Sequence, residues 1–139
     1  EQTANALFQT FGGEGGIVAL GGIPSNTPAI ERRAGLEKAI EATGGKVKLL
    51  DFQDADWDAT KASNVVAAWL TRFGSDIKGI WAANDGMAIG ALVPRAEACH
   101  AALARLHARL ALQLLTGMAG PAGRGCRSAA QPVRAEVTA

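Results

Sequence analysis

Short apolar runs and helical stripes alternate along the first ninety residues. Residues 4–11 (ANALFQTF) read as the end of a helix, with Gly12 and Gly13 as its stop. Residues 17–20 (IVAL) form an apolar run between glycines, the pattern of a strand buried on both faces. A loop of turn residues follows (GGIPSNTP, 21–28), in which Thr27 can cap a helix that has Pro28 at its first position. Ile30, Leu36, Ala39 and Ile40 recur at helical spacing to about Thr43, and Gly44–Gly45 end that helix. Residues 47–50 (VKLL) predict a second strand, followed by the acidic loop DFQDADWD. Asp58 or Thr60 would cap a third helix with Val65, Ala68, Trp69 and Phe73 on its apolar face and Gly74 as its stop. Residues 77–83 (IKGIWAA) predict a third strand. Asn84 and Asp85 would cap a fourth helix beginning GMAIGAL, with Asp85 as the better-placed cap.

Strands alternating with helices of this length predict an α/β fold of parallel βαβ units, with helices on both sheet faces and right-handed crossovers. In open sheets of this kind, ligands sit outside the carboxyl ends of the strands, at a switch in strand order. That rule selects the loops 21–28, 51–58 and 83–86.

Composition changes the picture in one place. The 139 residues carry a formal net charge of +1, which gives no global argument for nucleic acid or an anionic membrane. Residues 1–92 hold 8 Lys+Arg against 11 Asp+Glu, whereas residues 93–139 hold 6 Arg against 2 Glu. The second part has no Lys, Asp, Asn, Ile, Phe or Trp, yet 13 Ala in 47 residues. Ala, Arg, Gly and Pro share GC-rich codons, so a reading-frame change near codon 92 would produce such a tail. An Ala/Arg-rich helical extension is the other reading. Two domains of unequal character are therefore expected, a lobe at 1–92 and an anomalous tail at 93–139. Leu103, Leu106, Leu110 and Leu114 lie at helical spacing, which predicts a helix over about 95–115 and irregular chain after Gly117. Glu1 is not a translation start and no signal segment precedes the first helix, so targeting information is expected to be cleaved or encoded elsewhere. No apolar run approaches the roughly 20 residues that span a bilayer.

The three selected loops offer binding chemistry. Arg32 and Arg33, one turn into the second helix, can reach over the strand ends with several fixed donors, or form a solvated helix-surface pair. Trp57, set among Asp54, Asp56 and Asp58, either stacks its flat face on a sugar ring or covers a sheet edge. Trp81 and Trp69 read as core. Asn84 carries donors and an acceptor suited to a hydroxyl if Asp85 does the capping, and is otherwise a cap itself. The acidic loop lacks the Gly and terminal Glu of an EF-hand, and GGEGG at 12–16 precedes a strand and lacks the Lys-Ser/Thr of a phosphate loop. His100, His107 and Cys99 are too few for a zinc site. No base, nucleophile and oxyanion set emerges, so no catalysis, metal or cofactor is expected. An α/β enzyme or nucleotide-binding protein would need such a set or a phosphate loop.

The runs GGEGGIVALGG, PAIERRAGLEKAI, QDADWD and above all IKGIWAANDGMAIGAL resemble the C-terminal lobe of periplasmic sugar-binding proteins of the ribose-binding type, the solute receptors of ABC importers. The same fold serves lactose-repressor-type transcription regulators, whose effector lobe is the alternative. The likeness covers about eighty residues, 12–92. It implies a type I periplasmic-binding-protein-like lobe, a periplasmic location, a small-molecule sugar ligand and a membrane permease as partner in the intact protein, with no nucleic acid and no membrane insertion. By motif it places the family's sugar-binding arginine on Arg32, its stacking aromatic on Trp57 and its strand-end asparagine on Asn84. Relatives have a whole lobe before this stretch and a strand ending in Gly-x-Asp after it. Here VPRAEACHAALARLHARLALQLL follows instead, and Ala119 stands where the aspartate of a faint later echo (TGMAG) would be.

Overall fold

The computed structural model describes residues 1–116. Helix α1 (Gln2–Thr10) leads into strand β1 (Gly15–Gly21), helix α2 (Thr27–Glu41), strand β2 (Val47–Asp54), helix α3 (Ala59–Phe73), a short 3-10 turn (Gly74–Asp76), strand β3 (Ile77–Ala82) and helix α4 (Asp85–Thr116). The three strands form one parallel sheet in the order β2-β1-β3. The chain steps from β1 outward to β2 and then crosses back over β1 to reach β3. The loops after β1 and β3 therefore leave in opposite directions, and the switch in strand order lies between these two strands.

The apolar run of β1 is central for a physical reason. Residues 17–20 are fully buried, as a strand paired on both edges and covered on both faces must be. On one face α1 and α2 pack together, α1 lying over β3 and α2 over β2; on the other, α3 and α4 form the tightest helix pair of the molecule. Trp69, Val66 and Ala62 project from α3 into the core. Met87, Ala88 and Ala91 do so from α4. Gly90 lets α4 approach the first turn of α3, because a Cβ there would collide with the Ala59 carbonyl.

Several expectations shift. Strand β2 runs to Asp54, so half of the acidic loop is strand; its pairing with β1 slips between Ile17 and Val18, where Leu50 is passed over. On α2, Leu36 and Ala39 are buried and Ile40 packs against the core as expected, but in the first turn Ala29 takes the buried place and Ile30 is more than half exposed. Asn26, rather than Thr27, stands at the N-cap of α2, without a side-chain cap bond. On α3, Ala68 is exposed and Val66 takes the buried place. The helices expected to begin at Asp85 and near residue 95 are one continuous helix with Pro94 inside it. Proline removes only the N–H that would reach Gly90, so a long helix can carry it at the cost of a bond and a bend. Residues after 116, expected to be irregular, lie outside the described residues.

Candidate functional site

The three loops at the carboxyl ends of the strands are tied together by the backbone. The Ala55 N–H donates to the Gly21 carbonyl at 2.9 Å, and the Ala83 N–H donates to the Leu20 carbonyl at 3.0 Å. Strand pairing thus continues one residue beyond β2 and β3, and both alanines are buried. A rigid floor results, from which the side chains of the rim rise.

The loop after β2 is a tight turn. The Asp58 N–H donates to the Ala55 carbonyl at 2.8 Å, and Asp56 (φ 52°) and Trp57 (φ 65°) are both left-handed. Two such residues in succession give the form of a type I′ turn. Aspartate tolerates this backbone; tryptophan does so rarely, at a cost of roughly 1–2 kcal/mol. Asp58 caps α3 through its carboxylate, which accepts from the Lys61 N–H at 2.7 Å. Lys61 Nζ donates to Asp56 Oδ2 at 2.7 Å, and this carboxylate raises the lysine pKa. That pair is solvent-exposed and screened by water, and so too weak to hold the turn alone. The larger restraint is packing: the half-buried Trp57 indole lies against the backbone of Gly22.

From α2, Arg32 Nη1 donates to the Ala83 carbonyl at 2.6 Å, and its Cζ lies 5.6 Å from the centroid of the Trp57 ring, within cation–π range. Its remaining N–H groups make no hydrogen bond among the described residues. Arg33 turns away to the surface, pairing with Glu37 at 2.8 Å and sitting 4.2 Å from the Phe52 ring. The structure thus separates the two arginines that spacing alone could not.

Asn84 follows Ala83 directly. Its Oδ1 accepts from the Met87 N–H at 2.9 Å and so caps α4. Asp85 is the first residue of that helix rather than its cap. The expected division is therefore corrected: Asn84 caps, because its backbone precedes the helix and its oxygen reaches the third N–H. Its Nδ2 keeps two donors and makes no hydrogen bond among the described residues. Asn84 and the Trp57 carbonyl both lie about 3.9 Å from the place where a Cβ on Gly86 would stand. The strand-end rim thus holds Arg32 over the Trp57 ring and on the Ala83 carbonyl, with Asn84 following Ala83.

Trp69 and Trp81 are core residues, at 1% and 4% exposure. The Trp69 indole also donates to Asp51 Oδ2 at 2.7 Å, and this bond, above all, lowers the Asp51 pKa. Among the described residues no group of three or more His, Cys, Asp or Glu could hold a metal ion, and no described helix is long and apolar enough to cross a membrane. Sequence reading missed three parts of the rim: the Ala83 carbonyl that fixes Arg32, the Gly22 surface beneath Trp57, and the Asp56–Lys61 pair. Of these, only the Gly21–Gly22 pair at the end of β1 carries a signal in the sequence.

Hydrogen-bond donors without a protein partner among the described residues thus stand beside a half-buried ring at the strand ends of a parallel α/β lobe, the place where open sheets of this kind hold ligands. The chain belongs to the periplasmic binding protein domain family, whose model matches residues 1–117. It is 40% identical over 86 residues to the ribose import binding protein of Haemophilus influenzae, covering 62% of this chain and 28% of that one. A twin-arginine translocation pathway signal protein from Burkholderia phytofirmans superposes with a TM-score of 0.67 at 58% identity, over 70% of this chain and 30% of that chain. An ABC transporter periplasmic solute binding protein from Actinobacillus succinogenes, solved with bound D-allose, superposes with a TM-score of 0.66 at 35% identity, over 70% and 34%. The chain therefore spans about a third or less of the length of these relatives.

Proposed function

We propose that this chain is part of the sugar-binding lobe of an ABC-importer receptor. The observation that supports the reading is the rim itself, where the Arg32 guanidinium lies over the Trp57 indole and bonds the Ala83 carbonyl, with Asn84 next along the chain. A pyranose or furanose presents apolar C–H faces and hydroxyls at once. The indole takes the first by stacking; Arg32 and the Asn84 Nδ2 donate to the second. Ala83 and Leu20, joined by a backbone hydrogen bond, supply the floor. Binding is the whole of the chemistry: no bond of the sugar is broken.

In the intact receptor a second lobe closes over the same sugar, and the closed form engages a membrane permease from the periplasmic side. One lobe alone supplies only part of the contacts, and each 1.4 kcal/mol lost costs about tenfold in affinity. The isolated chain therefore binds sugar only in the millimolar range or more weakly. The test joins residues 1–92 to the remaining segments of the D-allose-binding relative. Expected are D-allose binding by the chimera and at least a tenfold loss on Trp57→Ala; unchanged affinity in that variant removes the stacking role.

The composition break at Leu92 belongs to the same proposal. The family match runs to residue 117 and α4 passes the break without interruption, but the side chains change character there. We read this as a change of coding frame on a helix that Ala-rich sequence continues by propensity alone. The surrounding DNA decides: a continuation in another frame with a strand ending in Gly-x-Asp supports it, and its absence refutes it.

A further inference from the structure

Gly22 opens the first strand-to-helix loop, directly after β1, and its backbone lies outside the positive-φ region that six other described glycines occupy. Conformation does not require glycine there. Space does. A Cβ built on Gly22 would have Cζ2, Cε2 and Cη2 of Trp57 as its nearest atoms, all well inside contact distance. Those three atoms are nearly equidistant from it, which places the Cβ over the face of the ring; a point off the ring edge would be distinctly closer to one atom. One face of the indole is thus seated on the backbone of residue 22.

We infer that Gly22 is a positioning residue: it carries no side chain so that the Trp57 indole can lie flat on the end of β1, at a fixed depth below the ligand. As a statement about ligand, this rests on the sugar-binding reading above. The turn supports it. Trp57 holds a backbone that tryptophan rarely adopts, and the Asp56–Lys61 pair that braces the turn is exposed. Seating the ring on Gly22 is what offsets that strain. A methyl at position 22 lifts the ring away from the floor and toward the space where a sugar would stack. The Arg32–Ala83 and Asn84–Met87 hydrogen bonds do not involve residue 22. Gly22 thereby sets how thick a ring the rim can accept, a geometric filter that acts through Trp57 alone.

The test is a thermal-unfolding cycle on the full chain with Gly22→Ala, Trp57→Ala and the double variant, plus ¹⁹F NMR of 5-fluorotryptophan-labelled protein. Gly22→Ala is expected to lower Tm by several degrees and to move the Trp57 resonance while those of Trp69 and Trp81 stay. In the Trp57→Ala background the same alanine is expected to cost nothing further. An equal loss in both backgrounds means that the glycine serves the backbone, and overturns the proposal. If Gly22→Ala alone fails to fold, the double variant still decides: a Tm equal to that of Trp57→Ala supports the proposal and an unfolded double variant overturns it. No sugar enters this cycle, so its failure is distinct from failure of the sugar reading, which the parent chimera's binding of D-allose tests separately.

Discussion

Helix α4 contains two halves that differ in everything except being helical. From Met87 to Pro94 its inward positions are buried against α3 and β3, and Gly90 is fitted to the backbone of Ala59. From Ala96 to Leu106 no described side chain is buried, although the helix continues. Arg95 stands at the join, where partial burial lowers its pKa. The composition change falls at the same place. The comparison separates what makes a helix from what makes a lobe. Alanine and leucine propensity suffice for the first; the second needs side chains shaped to a particular neighbour.

The difference can be broken most forcefully from the proximal side. Trp69→Ala removes a fully buried indole and leaves Asp51 without its strongest donor; a loss of about 3–5 kcal/mol is expected in chemical denaturation. Gly90→Ala overpacks the α3–α4 contact and should cost roughly 1–3 kcal/mol in the same assay. Asp58→Ala removes the cap of α3, at a cost of about 1 kcal/mol. On the distal half, Leu103→Ala is expected within about 0.5 kcal/mol of the parent, because that side chain is already 40% exposed. A Leu103→Ala loss as large as that of Gly90→Ala would erase the distinction between the two halves.

Protonation sharpens the proximal side further. The Asp51 carboxyl lies below its ordinary value, chiefly through the Trp69 indole N–H, with Gln53, the Phe52 N–H and Arg72 adding and burial opposing. A folded-state value below the unfolded one, about 3.9, stabilises the fold above that pH, and the contribution is lost as pH falls through the folded value. Trp69→Phe should therefore move the Asp51 titration upward when followed by NMR; an unmoved titration would mean that the indole is not its main cause.

These halves also show where sequence is legible. The IVAL run, the Gly74 stop and the Asp58 cap each announce an element because one local cause produces it: double burial, freedom from a Cβ, a carboxylate in reach of an N–H. The rim loops were legible as a place, since topology puts them at the strand ends. What escaped depends on contacts distant in sequence. Arg32 is told from Arg33 only by the Ala83 carbonyl 51 residues away. Asp51 meets Trp69 only once α3 folds over β2. The strand slip past Leu50 and the burial of Ala29 in place of Ile30 in the first turn of α2 are set by neighbours, not by periodicity. Asn84 was legible as a strand-end amide but not as the cap, because two adjacent cap-forming residues compete and only the backbone chooses.

The central claim is that the strand-end rim, and no other part of the molecule, meets the sugar. Titrating ¹⁵N-labelled chain with D-ribose or D-allose to several hundred millimolar (a range set by the tenfold-per-1.4 kcal/mol loss for a half-site) tests it directly. Expected are progressive shifts of the Trp57 indole N–H and the Asn84 side-chain amide, with Trp69 and Trp81 unmoved. Saturation at micromolar sugar, or shifts that spare Trp57 while moving the two core indoles, would contradict it.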